Sequence, residues 1–530
     1  MTIAEYIANQ LFKSGVRYVF GIPGGPSLPF IEAFRSAGIE FILTSNEGCA
    51  GVMADVTGRL TGKPGVCHAT FGPGATNIST GIGGALLDRS PVIVFTSEMD
   101  DMMLNRTTQM NINHQKLFEP LTKATFRLNP QNVYEVMDNA LRLCTEEYPG
   151  PVHIGLPAGI AGVEADDLTV TSPGARQIKH DNDTEGIISL LERSRRPVMA
   201  VGLTAARNAA GQMLKMFLDS YRLPVVITPM AKGLLPEDHP SYSGVLSHAL
   251  SDYLGDVFQK ADLIIGLGYD QVEYNYESWI PDVPLIHFNT IKTDLPDIAN
   301  VIQFTGTPDE WFEMLENLNA GSLIFELASV KSVRSEMLTV FDSHTLHFGP
   351  VSALRILRRE LPEDVVITSD VGSHLHLLGQ YWETRGKGKV IMTNGWSGMG
   401  FGLPASLAVT MNMPGVTVVC ITGDGGFLMN AGEIITARRY SLPVIVVVFS
   451  DGELNLIRLK QEWRNLKIYG TVLYQDDLFG ADRFFGVRVL KADSDETMEA
   501  AIREALSLKE PVIINAAVDP GDYRWLVVRQ

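Results

Sequence analysis

Along the first 165 residues, apolar positions at helical spacing alternate with short β-branched runs: "YVFGIPGG", "EFILTSNEG", "GVCHATFGPGATN", "PVIVFTSE" and "PVHIGLP". Short apolar runs separated by helical stretches predict a mostly parallel sheet covered by helices. The opening "MTIAEYIANQLFKSG" reads as an amphipathic helix rather than a charged-then-apolar leader. The pattern breaks at "EADDLTVTSPGARQIKHDND", which is polar and aperiodic and contains Pro and Gly, so an interdomain linker is expected near 166–185. A second α/β rhythm runs from "RRPVMAVGLTAAR" through "ADLIIGLGYD" and "VPLIHFN" and fades in the polar stretch from Lys331 to His347. Within it, "VLSHALSDYL" reads as an amphipathic structural helix. A third rhythm begins at "DVVITSDVGSH" and closes with "PVIINAAVDP". The expectation is an α/β protein of three domains, residues 1–165, 185–335 and 345–530, each a mostly parallel sheet covered by helices. A length of 530 residues agrees with more than one core.

Charge then narrows the partners. With 43 basic against 61 acidic residues and a net charge of -18, the chain lacks the clustered cations that nucleic acid or an anionic membrane surface requires. No apolar run approaches the roughly 18 residues of a membrane span. The four cysteines, Cys49, Cys67, Cys144 and Cys420, have no metal-type spacing, so reduced core thiols and a cytoplasmic setting are expected.

The candidate chemistry lies in "ITGDGGFLMNAGEIITARRYSLPVIVVVFSDGEL", Ile421 to Leu454, where two apolar runs each end at a carboxylate beside glycine. At Asp424, Gly425 and Gly426, small residues let backbone N–H groups approach an anion. A Gly-Asp-Gly exit is equally a tight turn. The 24 residues from Gly426 to Phe449 suffice for a helix and a strand, so Asp424 and Asp451 fall at the ends of adjacent strands. Two carboxylate exits suit magnesium, which shares its coordination sphere with water and the phosphates of a ligand.

This "GDG" followed by a polar pair resembles the motif of the thiamine diphosphate-dependent enzymes, with Ser450-Asp451 where the family usually has two asparagines. "SNEGCAGVMADVTGRLTGKPGVCHATFGPGATN" resembles the pyrimidine-binding domain of their acetolactate synthase and 2-oxo acid decarboxylase group. The resemblance implies thiamine diphosphate and magnesium as cofactors. It assigns Glu47 to the aminopyrimidine ring as the catalytic acid–base group, and Asp424, Asp451 and the backbone carbonyl of Glu453 to the metal. Gly372, Ser373 and His374 in "TSDVGSHLH" fall on its diphosphate loop, and Gly398 and Met399 on the segment beneath the cofactor. Read alone, Glu47 is a first-turn helix acid, His374 a loop histidine and Met399 core filler.

The same resemblance places Gln109 and His114 near the reacting substrate, although both also read as solvated loop residues. Apolar Ile457 stands where simple pyruvate decarboxylases carry a glutamate. Arg458 and Lys460 favour an anionic acceptor if they reach the site, and are solvated cations otherwise. "GYDQVEYN" is similar to flavin-free members, so FAD is not expected. The implied activity is decarboxylation of a small 2-oxo acid with ligation to a carbonyl acceptor. A non-ligating decarboxylase and a noncatalytic scaffold are the alternatives. Relatives of this kind form a homodimer or homotetramer with shared active sites, and the Gly and Ala content around Glu47 suits close interchain packing.

Overall fold

The computed structural model describes residues 1–165, 182–273, 281–293, 295, 300–324, 327–343 and 347–525. Most of the expected linker, 166–181, and Tyr274 and Asn275 of "GYDQVEYN" lie outside the described residues.

Three helix-covered sheets follow one another along the chain. The first contains β1 (Tyr18–Gly21), β2 (Glu40–Leu43), β3 (Gly65–Ala69), β4 (Val92–Glu98), β5 (Ala124–Arg127) and β6 (Pro151–Pro157) in the order β2-β1-β3-β4-β6-β5. The second contains β7 (Pro197–Val201), β8 (Val225–Ile227), β9 (Tyr242–Val245), β10 (Leu263–Leu267), β11 (Leu285–Asn289) and β12 (Val301–Thr305) in the order β12-β11-β10-β7-β8-β9. The third contains β13 (Val366–Ser369), β14 (Lys389–Ile391), β15 (Val418–Gly423), β16 (Val444–Ser450), β17 (Arg483–Phe484), β18 (Val487–Ala492) and β19 (Val512–Ala517) in the order β14-β13-β15-β16-β19-β18-β17. Apart from the antiparallel β17–β18 pair, the strand pairings described are parallel. The central strands are buried along both faces, as expected of apolar strands sandwiched between helices.

The chain divides into two compact units. One gathers the first sheet with residues 395–415 and 428–444; the other holds the second and third sheets. In the first unit, helix Ile3–Lys13 opens with a Thr2–Glu5 capping box and buries Ile3, Ile7, Ala8 and Leu11, the amphipathic face expected from its spacing. Helices Glu47–Thr61 and Pro73–Leu87 approach so closely that a Cβ on Gly51 would lie 2.9 Å from the Cα of Gly81. These glycines therefore serve a contact within the chain. Helix Gly402–Asn412 packs on Glu47–Thr61. Arg59, at the far end of that helix, bridges Asp55 (2.7 Å) and Asp88 (2.6 Å), while the backbone N–H of Gly395 donates to Asp88 (2.9 Å). The buried guanidinium donates to both carboxylates, a contact that anchors the helix that begins at Glu47.

Two local expectations are corrected. "VLSHALSDYL" is the end of β9, a run of turns and a short 3-10 turn at Ser251–Leu254, because Ser247 and Leu250 adopt left-handed backbone conformations (φ 60° and 56°) that end any helix. The polar stretch after Lys331 belongs to helix Leu327–Ser343, which buries Val330, Met337 and Phe341 and leaves its polar residues largely outside. Among the described residues, no helix is long and apolar enough to cross a membrane. All four cysteines are buried and none forms a disulfide.

Candidate active site

The third sheet reverses its winding between β13 and β15, and such a switch point opens a crevice at the carboxyl ends of the strands. Asp424 leaves β15 and Asp451 leaves the neighbouring β16, so the two exits do meet. Asp424 is buried, and its Oδ2 accepts from the backbone N–H of Asp451 (3.1 Å) and Gly452 (2.8 Å) and from the Tyr474 hydroxyl (2.7 Å). The left-handed φ of 77° at Gly452 turns the loop back over Asp424, a conformation that favours glycine. Burial and the nearby Asp424 carboxylate push the Asp451 carboxyl up to about 7. Ser450 donates to Asn515 (2.6 Å) on the neighbouring strand β19 and lines the same cavity as Asp451, Gly452 and Tyr474.

The expected third ligand sits in a different setting. The Glu453 carbonyl already accepts from the Asn455 N–H (2.9 Å), and its side chain pairs with Arg458 (2.9 Å) and receives the Thr471 hydroxyl. Residues 452–454 and 471–473 clasp one another, with Leu454 N–H donating to Thr471 (2.8 Å) and Leu473 N–H to Gly452 (2.8 Å). That clasp delivers Tyr474, a residue the motif reading missed.

Gly372, Ser373 and His374 lead from β13 into helix Ser373–Tyr381, beside the same exit. A Cβ on Gly372 would lie 2.9 Å from the His374 ring, and one on Gly426 would lie 2.7 Å from the Asp370 carboxylate. Desolvation pushes His374 down to about 4. Its Nε2 and the Asn455 Nδ2 are buried without a hydrogen-bond partner among the described residues. Two neighbouring carboxylates, two orphaned nitrogens and glycines that admit no side chain suit a divalent cation with an oxygen-rich anion. The donor set therefore fits magnesium and a diphosphate.

Glu47 opens helix Glu47–Thr61 in the first unit, behind the N-cap Asn46. It is 9% exposed; Asn77 Nδ2 donates to its Oε2 (3.0 Å), and its Oε1 faces Gly74. Glu433 accepts from the N–H groups of Ser45 (2.8 Å) and Asn46 (3.0 Å), fixing the turn that presents Glu47. Met399 is half-buried between Ser397 (φ 51°) and Gly400 (φ 89°), both left-handed. Asn430 donates to the Gly400 carbonyl (2.7 Å), and Gly398 lies against Trp396.

Gln109 and His114 part company. Gln109 is exposed on a turn, whereas His114 begins helix His114–Phe118, is buried, and pairs with the Thr96 hydroxyl (2.8 Å). The neighbouring Met110 carbonyl approaches Gly72, two residues before Gly74. Arg458 is engaged by Glu453 and Glu462 (3.1 Å), while Lys460 and Ile457 are exposed on helix Asn455–Trp463.

In the second sheet the winding reverses between β7 and β10. There the Glu273 carboxylate accepts from the N–H groups of Leu203 (2.7 Å) and Asp270 (3.3 Å) and pairs with Thr228. It thus occupies backbone donors at the position where doubly wound sheets receive a dinucleotide's phosphates. Burial pushes its carboxyl up to about 8, against the pull of those donors. The folded protein then holds a proton that the unfolded chain releases near its ordinary value of 4.5, so stability falls as pH rises between these values. Glu273→Gln keeps the neutral form, with its amide donating to Thr228 and its oxygen accepting from Leu203. Between pH 6 and pH 9 the thermal midpoint of wild type should fall further than that of E273Q, a difference on the order of 1 kcal/mol or more by pH 9. Parallel midpoints would show that Glu273 is ionised throughout.

Comparison with known proteins agrees with this geometry. Residues 1–117 match the N-terminal TPP binding domain of thiamine pyrophosphate enzymes, 184–315 their central domain and 370–516 their C-terminal TPP binding domain. The chain is similar to a probable acetolactate synthase large subunit of Methanocaldococcus jannaschii, with 29% identity across 98% of this chain and 92% of the relative. It is 27% identical to an acetolactate synthase of Bacillus subtilis, across 98% and 93% of the two chains. With the large subunit of acetolactate synthase isozyme 2 from Escherichia coli it shares 28% identity across 100% and 97%. With all three domains present in order, the chain belongs to the thiamine diphosphate-dependent enzymes, in the group of the acetolactate synthases and 2-oxo acid decarboxylases.

Proposed function

We propose that this enzyme decarboxylates a small 2-oxo acid and ligates the remaining fragment to a second carbonyl, as an acetolactate synthase does. The observation that carries the reading is the meeting of Asp424 and Asp451 at adjacent strand ends, beside the orphaned nitrogens of His374 and Asn455. Asp424, Asp451 and the Glu453 carbonyl hold magnesium; Gly372, Ser373, His374, Gly425 and Gly426 take the diphosphate. Gly398 and Met399 would contact the rings of the cofactor. When bound, thiamine diphosphate supplies the electron sink for cleavage of the bond to the carboxylate carbon.

Glu47 holds or moves the proton at the pyrimidine ring, in the position that Asn77 and the Glu433-bound turn give it. His114 acts as the proton-carrying group toward the substrate. Gln109, exposed on its turn, is the second group assigned to the substrate side. Residues 1–165 form the pyrimidine-binding domain, 185–335 a central domain and 345–530 the diphosphate-binding domain. The central domain carries no flavin, a reading supported by the Glu273 carboxylate at the donors a dinucleotide would need. The active assembly is a homodimer or homotetramer in which Glu47 of one chain serves the diphosphate site of another. The unbridged thiols suit a cytoplasmic setting.

Incubation with 2-13C-pyruvate, thiamine diphosphate and magnesium tests the reaction. The expected 13C spectrum is that of acetolactate. Acetaldehyde alone would select the non-ligating decarboxylase, and unchanged pyruvate with every other small 2-oxo acid would remove the proposal.

A further inference from the structure

The first unit contains a buried polar chain that the motif reading did not contain. Thr125 and His153 face each other on the adjacent strands β5 and β6, with Thr125 Oγ1 2.6 Å from His153 Nδ1. On the other side of the ring, His153 Nε2 lies 2.8 Å from Oγ1 of Thr96 on β4, and that same oxygen lies 2.8 Å from His114 Nδ1. Thr96 and His153 are fully buried, and His114 is 2% exposed. Phe118 stacks on the His153 ring at 4.3 Å and 19°, which fixes its plane. His114 Nε2 has no hydrogen-bond partner among the described residues.

Thr96 has a single hydroxyl proton, and among the described residues the two ring nitrogens are its only hydrogen-bond partners, so it donates to one and accepts from the other. With both rings neutral, the tautomer of either ring then fixes that of its neighbour. In one state His114 carries its proton on Nε2, Thr96 donates to His114 Nδ1, and His153 Nε2–H donates to Thr96. In the other state His114 Nδ1–H donates to Thr96, Thr96 donates to His153 Nε2, and His153 Nδ1–H donates to Thr125. Passage from the first state to the second releases one proton from His114 Nε2, as the Thr96 proton moves to His114 Nδ1, the His153 Nε2 proton to Thr96 and the Thr125 hydroxyl proton to His153 Nδ1. The partly buried Thr125 recovers a proton from bulk solvent, so one proton enters for the one released and neither ring stays charged.

Neutral rings agree with their setting. Desolvation pushes His114 down to about 4 and holds His153 well below the usual imidazole range, while the nearby Glu98, 3.9 Å from His114 Nδ1, is already held by Gln115 (2.5 Å) and Arg127 (3.0 Å). Glu98, His114 and His153 also bring ligand atoms within 4.8 Å of one another, as a metal site would. The Thr96 hydroxyl occupies the space between both nitrogens, however, and the Arg127 guanidinium already neutralises Glu98, which disfavours a cation.

We propose that Thr96 and His153 are positioning residues that make His114 one end of a neutral, two-tautomer proton relay opening at His114 Nε2. The relay rests on the reading of His114 as the group that faces the reacting substrate. Its structural half is testable without turnover. In the full-length holoenzyme labelled with 15N-histidine, long-range 1H–15N spectra should show His114 and His153 neutral at pH 7 and in one of the two paired tautomer states. In Thr96→Val, which removes the hydroxyl and keeps the shape, that pairing should be lost. With substrate, T96V should lower kcat about tenfold or more with little change in KM, Thr96→Ser should restore it, and Thr125→Val should lower kcat in the same direction. An imidazolium at pH 7, tautomers unchanged in T96V, or kcat unaffected in both valine variants would overturn the relay. An enzyme with paired tautomers but no turnover on any 2-oxo acid would instead overturn the proposed reaction and leave the tautomer coupling standing.

Discussion

Glu47→Gln is expected to slow exchange of the cofactor's C2 proton for deuterium by about 10²- to 10⁴-fold, the usual contribution of a positioned acid–base group, without loss of folding or cofactor uptake. The amide keeps the contacts that hold the carboxyl. Its oxygen still accepts from Asn77, and neither the Asn46 cap nor the Glu433 contacts to Ser45 and Asn46 involve the Glu47 side chain. It differs only in lacking an ionisable oxygen that can give up and recover a proton. Exchange is read by proton magnetic resonance after acid quenching, and bound cofactor by titration. Wild-type exchange in a fully loaded E47Q would remove Glu47 from proton transfer and leave it as a helix-terminal acid.

Asp424→Ala should weaken uptake of magnesium and thiamine diphosphate together, by about 100-fold or more for loss of a metal-binding carboxylate. The same change strips three donors, the N–H groups of Asp451 and Gly452 and the Tyr474 hydroxyl, of their shared acceptor. Asp424→Asn separates the two effects, since its oxygen still accepts while its charge is gone. If uptake fails in both variants, the charge matters; if uptake by D424N matches wild type, the loop geometry does. Each variant alone should be inactive. Mixed E47Q and D424A chains should recover part of the activity if the two residues act from different subunits, and none if each site is built from one chain.

The strand exits were legible because a buried parallel strand announces itself as an unbroken apolar run, and the residue that follows it falls at the crevice by construction. Asp424, Asp451, Gly372 and Ser373 could be placed that way. Residues brought in by tertiary contact could not. Tyr474 reaches Asp424 across 50 positions through the 452–454 and 471–473 clasp, and Glu433 reaches the turn before Glu47 across 387 and 388 positions. Neither distance leaves a trace in local spacing.

The misread segments have equally local causes. Ser247 and Leu250 take left-handed backbone without being glycine, so "VLSHALSDYL" shows no breaker to the eye. Helix Leu327–Ser343 buries few apolar positions, and its polar majority disguised it as a fading domain edge. His114 looked interchangeable with Gln109 because both fall in a polar loop sequence; only the fold separates a buried ring held by Thr96 from a side chain in solvent.

The central claim is that the paired exits of β15 and β16 form a cation site that clamps a diphosphate. Isothermal titration of the wild-type chain with thiamine diphosphate, with magnesium and then with a chelator in its place, tests it most directly. The account expects saturable uptake of one cofactor per chain with magnesium and its loss under chelation. Equal affinity with and without the cation, or no uptake in either condition, would contradict it.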